Sequence, residues 1–340
     1  MQHKYSHKYL YTMPRNLKSI FVYLLVSLSI ISIAQLPETN PNINRTKNWF
    51  FGESAGLQFL SDTVISVTNY SLNANEGCAA YSNAEGEMVF YSNGINLKDS
   101  SNNAISINLK GYASSSQGIL FESTPFKLLL LTTSPDSGYW VFKYDNSIFL
   151  HKKLLKVSSE AQTSVFHQNS RDKWISTHNL DSSFISFLSV SQDILCCPII
   201  STVGAARDGS YPISSGVMKF NFNASQMYTS TWIGNTIEMY IFNYEEGTFK
   251  LNVTIPHSSA SRLSISPNGN ILYVVDGAEH IHQYDISLLD SASIVASKKL
   301  IATSDTKFGG MQLGSDGKIY VSTYKEQSLG VINKPIEVAI

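Results

Sequence analysis

One strand–turn–strand unit, repeated along the chain, limits what this sequence can fold into. Its clearest copy spans residues 263–286, LSISPNGNILYVVDGAEHIHQYDI. Strand side chains alternate, so Ile271, Tyr273 and Val275 fall on one face and Leu272 and Val274 on the other. Both faces are apolar, which places this strand between two packed layers. Asn268-Gly269 supplies the positive-φ residue that a tight hairpin needs. The unit returns at 311–324 (MQLGSDGKIYVSTY) with Asp316-Gly317, and at 80–93 (AYSNAEGEMVFYSN) with Glu85-Gly86. Looser copies occupy 119–142, 165–179 and 218–232. The turns recur about every 40–50 residues, the interval of propeller blades with four strands each. A lone blade cannot bury both faces, whereas radial stacking can. The expected fold is therefore all-β: a β-propeller of four-stranded blades, about seven of them at ~43 residues each. A sandwich array with accidental spacing is the alternative.

The N-terminal residues read as an address. Arg15 and Lys18 precede an apolar run at 20–33, IFVYLLVSLSIISI, and Ser32-Ile33-Ala34 places small residues where a signal peptidase reads. Residues 1–34 are expected to be a signal peptide cleaved before Gln35, with an uncleaved anchor as the alternative. The run is shorter than the ~20 residues of a membrane span, so no transmembrane segment is expected after cleavage. Export to the periplasm, the outer membrane or the outside follows. Residues 35–47 read as an irregular Pro/Asn-rich arm, and 48–340 as the propeller. The aromatic stretch 48–59, NWFFGESAGLQF, is expected to close the ring by pairing with the last blade. Residues 96–117 read as polar loops, and 196–211 as a longer excursion over one face.

Charged residues make up 15% of the chain and the net charge is -1, with no basic run, so nucleic acid is not an expected partner. Three cysteines, Cys78, Cys196 and Cys197, cannot all pair within one chain. Buried thiols are the expected state, and one bridge from Cys78 to the adjacent pair is the alternative.

Chemistry-bearing residues are few. His280 and His282 share a strand face and stand near Asp276 and Glu279. Two histidines leave the remaining ligand unnamed, so no metal site is assigned and no cofactor is expected. His167 and His178 flank a hairpin and read as packed or solvent-facing. Glu245-Glu246 sits at a predicted hairpin tip, where solvated charge is ordinary. No nucleophile elbow or Ser-His-acid spacing occurs, and no catalytic residue is assigned. Trp49, Trp140, Trp174 and Trp232 read mainly as blade packing. Trp174 and Trp232, with His280 and His282, are the candidate ligand-binding residues, because tryptophan at a loop mouth stacks on sugars or anchors proteins.

The stretches 48–59, 72–79 (LNANEGCA) and 88–94 (MVFYSNG) resemble the start of a secreted Bacteroidetes β-propeller module, YVTN/WD40-like. Such modules occur in gliding-motility-associated and type IX secretion sorting-domain proteins. The stretches 171–178 (RDKWISTH), 216–219 (GVMK), 282–286 (HQYDI) and 311–333 match the same module in order. The resemblance implies a propeller without catalytic residues, working at the cell surface. Asn223-Ala224-Ser225 departs from the Pro-Asp-Gly type of turn, so a less regular hairpin is expected there. No Ig-like or sorting domain follows within residues 334–340, so a stand-alone propeller and a truncated surface protein are both expected readings. The expected function is a non-enzymatic interaction module presenting loops to a protein or glycan partner. The alternative is a lactonase-like hydrolase of sugar lactones, since SPNG- and GSDG-type hairpins also resemble those enzymes. Arg207 and Arg262, with His280 or His282, are the residues it would use.

Overall fold

The repeat is realised as seven antiparallel sheets in chain order. The computed structural model describes residues 43–112, 117–124, 127–134, 136–145, 148–190, 195–207, 216–231 and 235–339. The expected signal peptide, most of the expected arm and Trp232 lie outside the described residues. The first sheet contains β1 (Asn48–Glu53), β2 (Ala55–Phe59), β3 (Val64–Val67) and β4 (Asn73–Ala74). The second contains β5 (Ala79–Ser82), β6 (Met88–Ser92), β7 (Leu97–Asp99) and β8 (Ala104–Ile105). The third contains β9 (Ile119–Thr124), β10 (Lys127–Ser134), β11 (Gly138–Asp145) and β12 (Ile148–Leu155). The fourth contains β13 (Gln162–Phe166), β14 (Lys173–His178), β15 (Ser183–Ser189) and β16 (Cys196–Thr202). The fifth contains β17 (Gly216–Phe220), β18 (Gln226–Thr231), β19 (Thr236–Asn243) and β20 (Thr248–Pro256). The sixth contains β21 (Ala260–Ile265), β22 (Ile271–Asp276), β23 (His280–Asp285) and β24 (Lys299–Thr303). The last contains β25 (Phe308–Leu313), β26 (Ile319–Thr323) and β27 (Gly330–Ile332). A short helix α1 (Ser291–Ala296), N-capped by Asp290, lies between β23 and β24.

Each sheet's first strand touches the first strand of the next, from β1 to β5 and onward to β25. That arranges the sheets around a common axis, as in a propeller, with the first strand as an edge in every sheet but the first, where β4 takes the edge beside β1. The core then divides into six clusters, one between each consecutive pair of blades. The two-faced strand expected from the sequence is β22. Leu272 and Val274 pack back onto the fifth blade, while Ile271, Tyr273 and Val275 pack forward onto the seventh. In β10, Leu129 and Leu131 likewise face the fourth blade and Leu128 and Leu130 the second.

The ring does not close through a shared strand, contrary to expectation. β1 pairs with β2 and β4 in its own sheet. The first and last blades meet instead through side chains. Trp49 and Phe59 each set their rings against Tyr320, with centroids 5.6 Å apart in both pairs. Gly314 keeps that seam tight, since a Cβ there would lie 2.8 Å from the Phe59 ring and 2.9 Å from the Tyr320 ring.

Three further expectations change. Residues 196–202 are not part of an excursion but form β16, the fourth strand of its blade. The 96–117 stretch contains β7 and β8, which complete the second blade. The Asn223-Ala224-Ser225 turn is as regular as the Pro267–Asn270 one. Asn221 N–H donates to Gln226 O and Ala224 N–H to Asn221 O, just as Ser266 N–H donates to Ile271 O and Gly269 N–H to Ser266 O. Ala224 occupies the left-handed position that Gly269 fills, with φ of 63° against 75°.

Candidate functional site

In the second to seventh blades the starts of first strands, the ends of second strands and the starts of third strands lie on one face of the ring. One cluster of titratable side chains lies there. His257 lies in the segment joining β20 to β21, Asp276 ends β22, and His282 is in β23. Three separate elements thus deliver three donor atoms, all within 4.8 Å of one another. The Asp276 Oδ2 is 3.8 Å from His257 Nε2 and 3.6 Å from His282 Nδ1. Both distances exceed a hydrogen bond, and neither ring nitrogen has another hydrogen-bond partner. The His257 side chain is fully buried, while those of His282 and Asp276 retain 14% and 21% exposure. His257 is held by its other nitrogen, Nδ1, which is 2.5 Å from the Tyr284 hydroxyl. Lys298 Nζ stands 3.9 Å from the same Asp276 oxygen. Burial, and then the Lys298 charge, draws the His257 imidazole down to about 4. The same two causes lower His282. Both rings are therefore neutral at neutral pH, with lone pairs available for ligation.

His280 shares the strand face with His282, as expected, and their ring centroids are 6.2 Å apart. It is not one of the three converging donors; His257 takes that place. Sequence reasoning missed His257 because it belongs to a loop before the repeat unit, and strand periodicity says nothing about loops.

A second buried cluster lies at the same face between the fourth and fifth blades. Arg207 is buried and donates to Thr229 Oγ1. Burial lowers its guanidinium to about 10, opposed by Glu238 and Tyr240. Glu238 accepts from the Ala205 N–H and the Tyr240 hydroxyl. His178 is buried against Phe184, its ring centroid 4.4 Å away, and burial holds it well below the usual histidine range. Toward the axis, Arg262 pairs with Glu76 at 3.6 Å, and burial raises the Glu76 carboxyl despite that charge. Arg207 and Arg262 thus bind Thr229 and Glu76, in different blades, rather than converging on His280 or His282.

The channel is bridged by side chains. The Gln117 amide accepts from Met218 N–H at 2.7 Å and donates to Met218 O at 3.1 Å, reaching from the third blade to the fifth. It completes the free edge of β17 as a neighbouring strand would. Lys219 donates to Gln312 across two blades at 2.6 Å, and burial draws its ammonium down to about 8.

Trp174 is placed in blade packing. Its ring lies over Gly247, where a Cβ would come within 2.6 Å, and its Nε1–H donates to Tyr244 O. Trp140 donates to Ser137 O, and Trp49 forms the ring seam. His167 and His178 do not meet: His167 stands beside Trp174 at the hairpin end of β14, and His178 ends the strand. Glu245 and Glu246 are exposed at the β19–β20 tip, their N–H groups donating to Asn243 Oδ1. Contrary to the expected buried thiols, Cys197 is exposed and Cys78 is half-buried; Cys78 donates to Phe50 O, its pKa pushed up to about 12 by desolvation.

The opposite face carries hairpin tips. Phe222 (62% exposed) and Tyr244 (40%) of the fifth blade and Phe166 (37%) of the fourth lie there. Backbone bonds join their loops: Gln168 N–H donates to Tyr244 O, and Phe242 N–H to Ser225 O.

Seven antiparallel sheets about one axis, packed face to face, define a seven-bladed β-propeller. Its fold is similar to the β-propeller domain of Cps50 (Swd1) from Myceliophteria thermophila, with TM-score 0.53 and 8% identity over 85% of this chain and 97% of that one. Hsv2 from Kluyveromyces lactis gives TM-score 0.49 and 10% identity over 85% and 90%. A putative 6-phosphogluconolactonase from Bacteroides fragilis gives 0.41 and 13% over 75% and 92%. Likeness at such identities is one of fold. No family model matches the sequence, and no curated protein matches it. No helix among the described residues is long and apolar enough to cross a membrane.

Proposed function

We propose that this propeller is a non-enzymatic interaction module that binds a protein or glycan partner at the cell envelope. The observation that carries this is the exposure of Phe166, Phe222 and Tyr244 on hairpin-tip loops that backbone hydrogen bonds tie to one another. Exposed aromatics on a rigid scaffold suit recognition: they bring large contact area at little entropic cost. An exported protein of the kind found in Bacteroidetes surface modules fits the leader-like residues 1–34 and the motif order. A lactone hydrolase would need Arg207, Arg262 and a histidine at one mouth, whereas Arg207 is buried on Thr229 and Arg262 pairs with Glu76. A screen of sugar lactones with the purified full chain tests the point. No turnover above blank is expected. Turnover abolished by Arg262→Gln in a folded variant would overturn the proposal.

A further inference from the structure

We propose that His257, Asp276 and His282 bind one divalent transition-metal ion, of the zinc class, at the strand-start face between the fifth and sixth blades. The geometry carries this independently of what the hairpin face binds. Two ring nitrogens and one carboxylate oxygen converge within 4.8 Å, and the two nitrogens have no hydrogen-bond partner. An orphaned buried ring nitrogen is costly unless something meets it. Tetrahedral zinc sits roughly 2.0–2.2 Å from nitrogen and oxygen donors, which puts the donors about 3.3–3.6 Å apart. The 3.6 and 3.8 Å carboxylate–nitrogen separations need contraction by tenths of an ångström, and the two nitrogens, within 4.8 Å of each other, by up to about 1.5 Å. Three protein donors leave the fourth position open to water or a partner's side chain. Imidazole donors favour zinc, cobalt or nickel over calcium or magnesium, which take oxygen. Tyr284 anchors His257 through Nδ1, which leaves Nε2 toward the site. Lys298 competes: its ammonium stands 3.9 Å from the carboxylate oxygen the metal would take.

The test uses the full chain without a histidine tag, with zinc alone as the probe in a chelator competition. Cobalt alone gives a second readout, the visible absorption of a low-coordinate site. One metal per chain is expected. Asp276→Asn and His282→Gln are expected to weaken it by about tenfold or more. Lys298→Met is expected to tighten it, and His280→Gln to leave it unchanged. Circular dichroism and metal-free melting show whether each variant is folded. Absence of stoichiometric zinc in the wild type, or unchanged affinity in a folded Asp276→Asn, would overturn the proposal. So would loss of affinity in His280→Gln equal to that in His282→Gln, since that would mark ordinary surface histidines.

Discussion

At the scale of single residues, the most informative side chain is His257. Its imidazole ordinarily titrates near 6.5 and is held at about 4 in the fold, by burial first and Lys298 second. The unfolded chain therefore takes up a proton that the folded chain refuses between these two values. Stability is fully present above pH 6.5 and falls as pH drops through that window toward 4. The loss is on the order of 2 kcal/mol. Urea midpoints measured from pH 7 to pH 4 should fall, and His257→Gln should flatten part of the slope. His178, lowered by burial, adds in the same direction. Of the three converging donors, Asp276 and His282 were legible from the sequence because one strand pair carries both. His257 was not, because nothing in a loop's sequence states which strand it will overlie. Trp174 illustrates the converse: its residue type suggests a ligand platform, and only Gly247 packed against its ring reveals a core role.

Individual elements follow two rules of different reach. Where a strand is buried on both faces, as in β10 and β22, continuous apolar runs identify it and its turn. Outer and short strands leave fainter traces. β7 has three residues and β8 two, too few for alternation to register. β16 carries Cys196-Cys197-Pro198 in an outer strand, a run that does not look like a buried strand. Hairpin chemistry is also more permissive than the sequence suggests, since Ala224 adopts φ of 63° where glycine would be unstrained. A left-handed alanine costs roughly 1–2 kcal/mol, partly offset by the greater chain entropy of glycine. Ala224→Gly should therefore stabilise the protein by about 0.5–1 kcal/mol, read as a rise in the denaturant midpoint. Gln117→Ala should act oppositely. It leaves Met218 N–H and C=O without their amide partner, at about 1–3 kcal/mol, and guanidine melts would measure the loss.

For the molecule as a whole, blade number and radial packing were readable from the spacing of turns, but the manner of closure was not. An aromatic strand at the front of a propeller suggests pairing with the last blade. Here β1 completes its own sheet, and Trp49, Phe59 and Tyr320 close the ring. Tyr320→Ala should cost about 3–5 kcal/mol, as removal of a large buried ring does. Hydrogen exchange should then rise first in the first and last blades. His257, Asp276 and His282 lie on one face, and Phe166, Phe222 and Tyr244 on the other. The most direct measurement of the recognition role is cosedimentation of the full chain with isolated cell envelopes, wild type against Phe222→Ser/Tyr244→Ser. Saturable binding, weakened about tenfold or more by the double variant, is expected. Protease-treated and periodate-treated envelopes then identify protein or glycan as the partner. Equal binding by a folded double variant, or no saturable binding by either, would contradict recognition through this face.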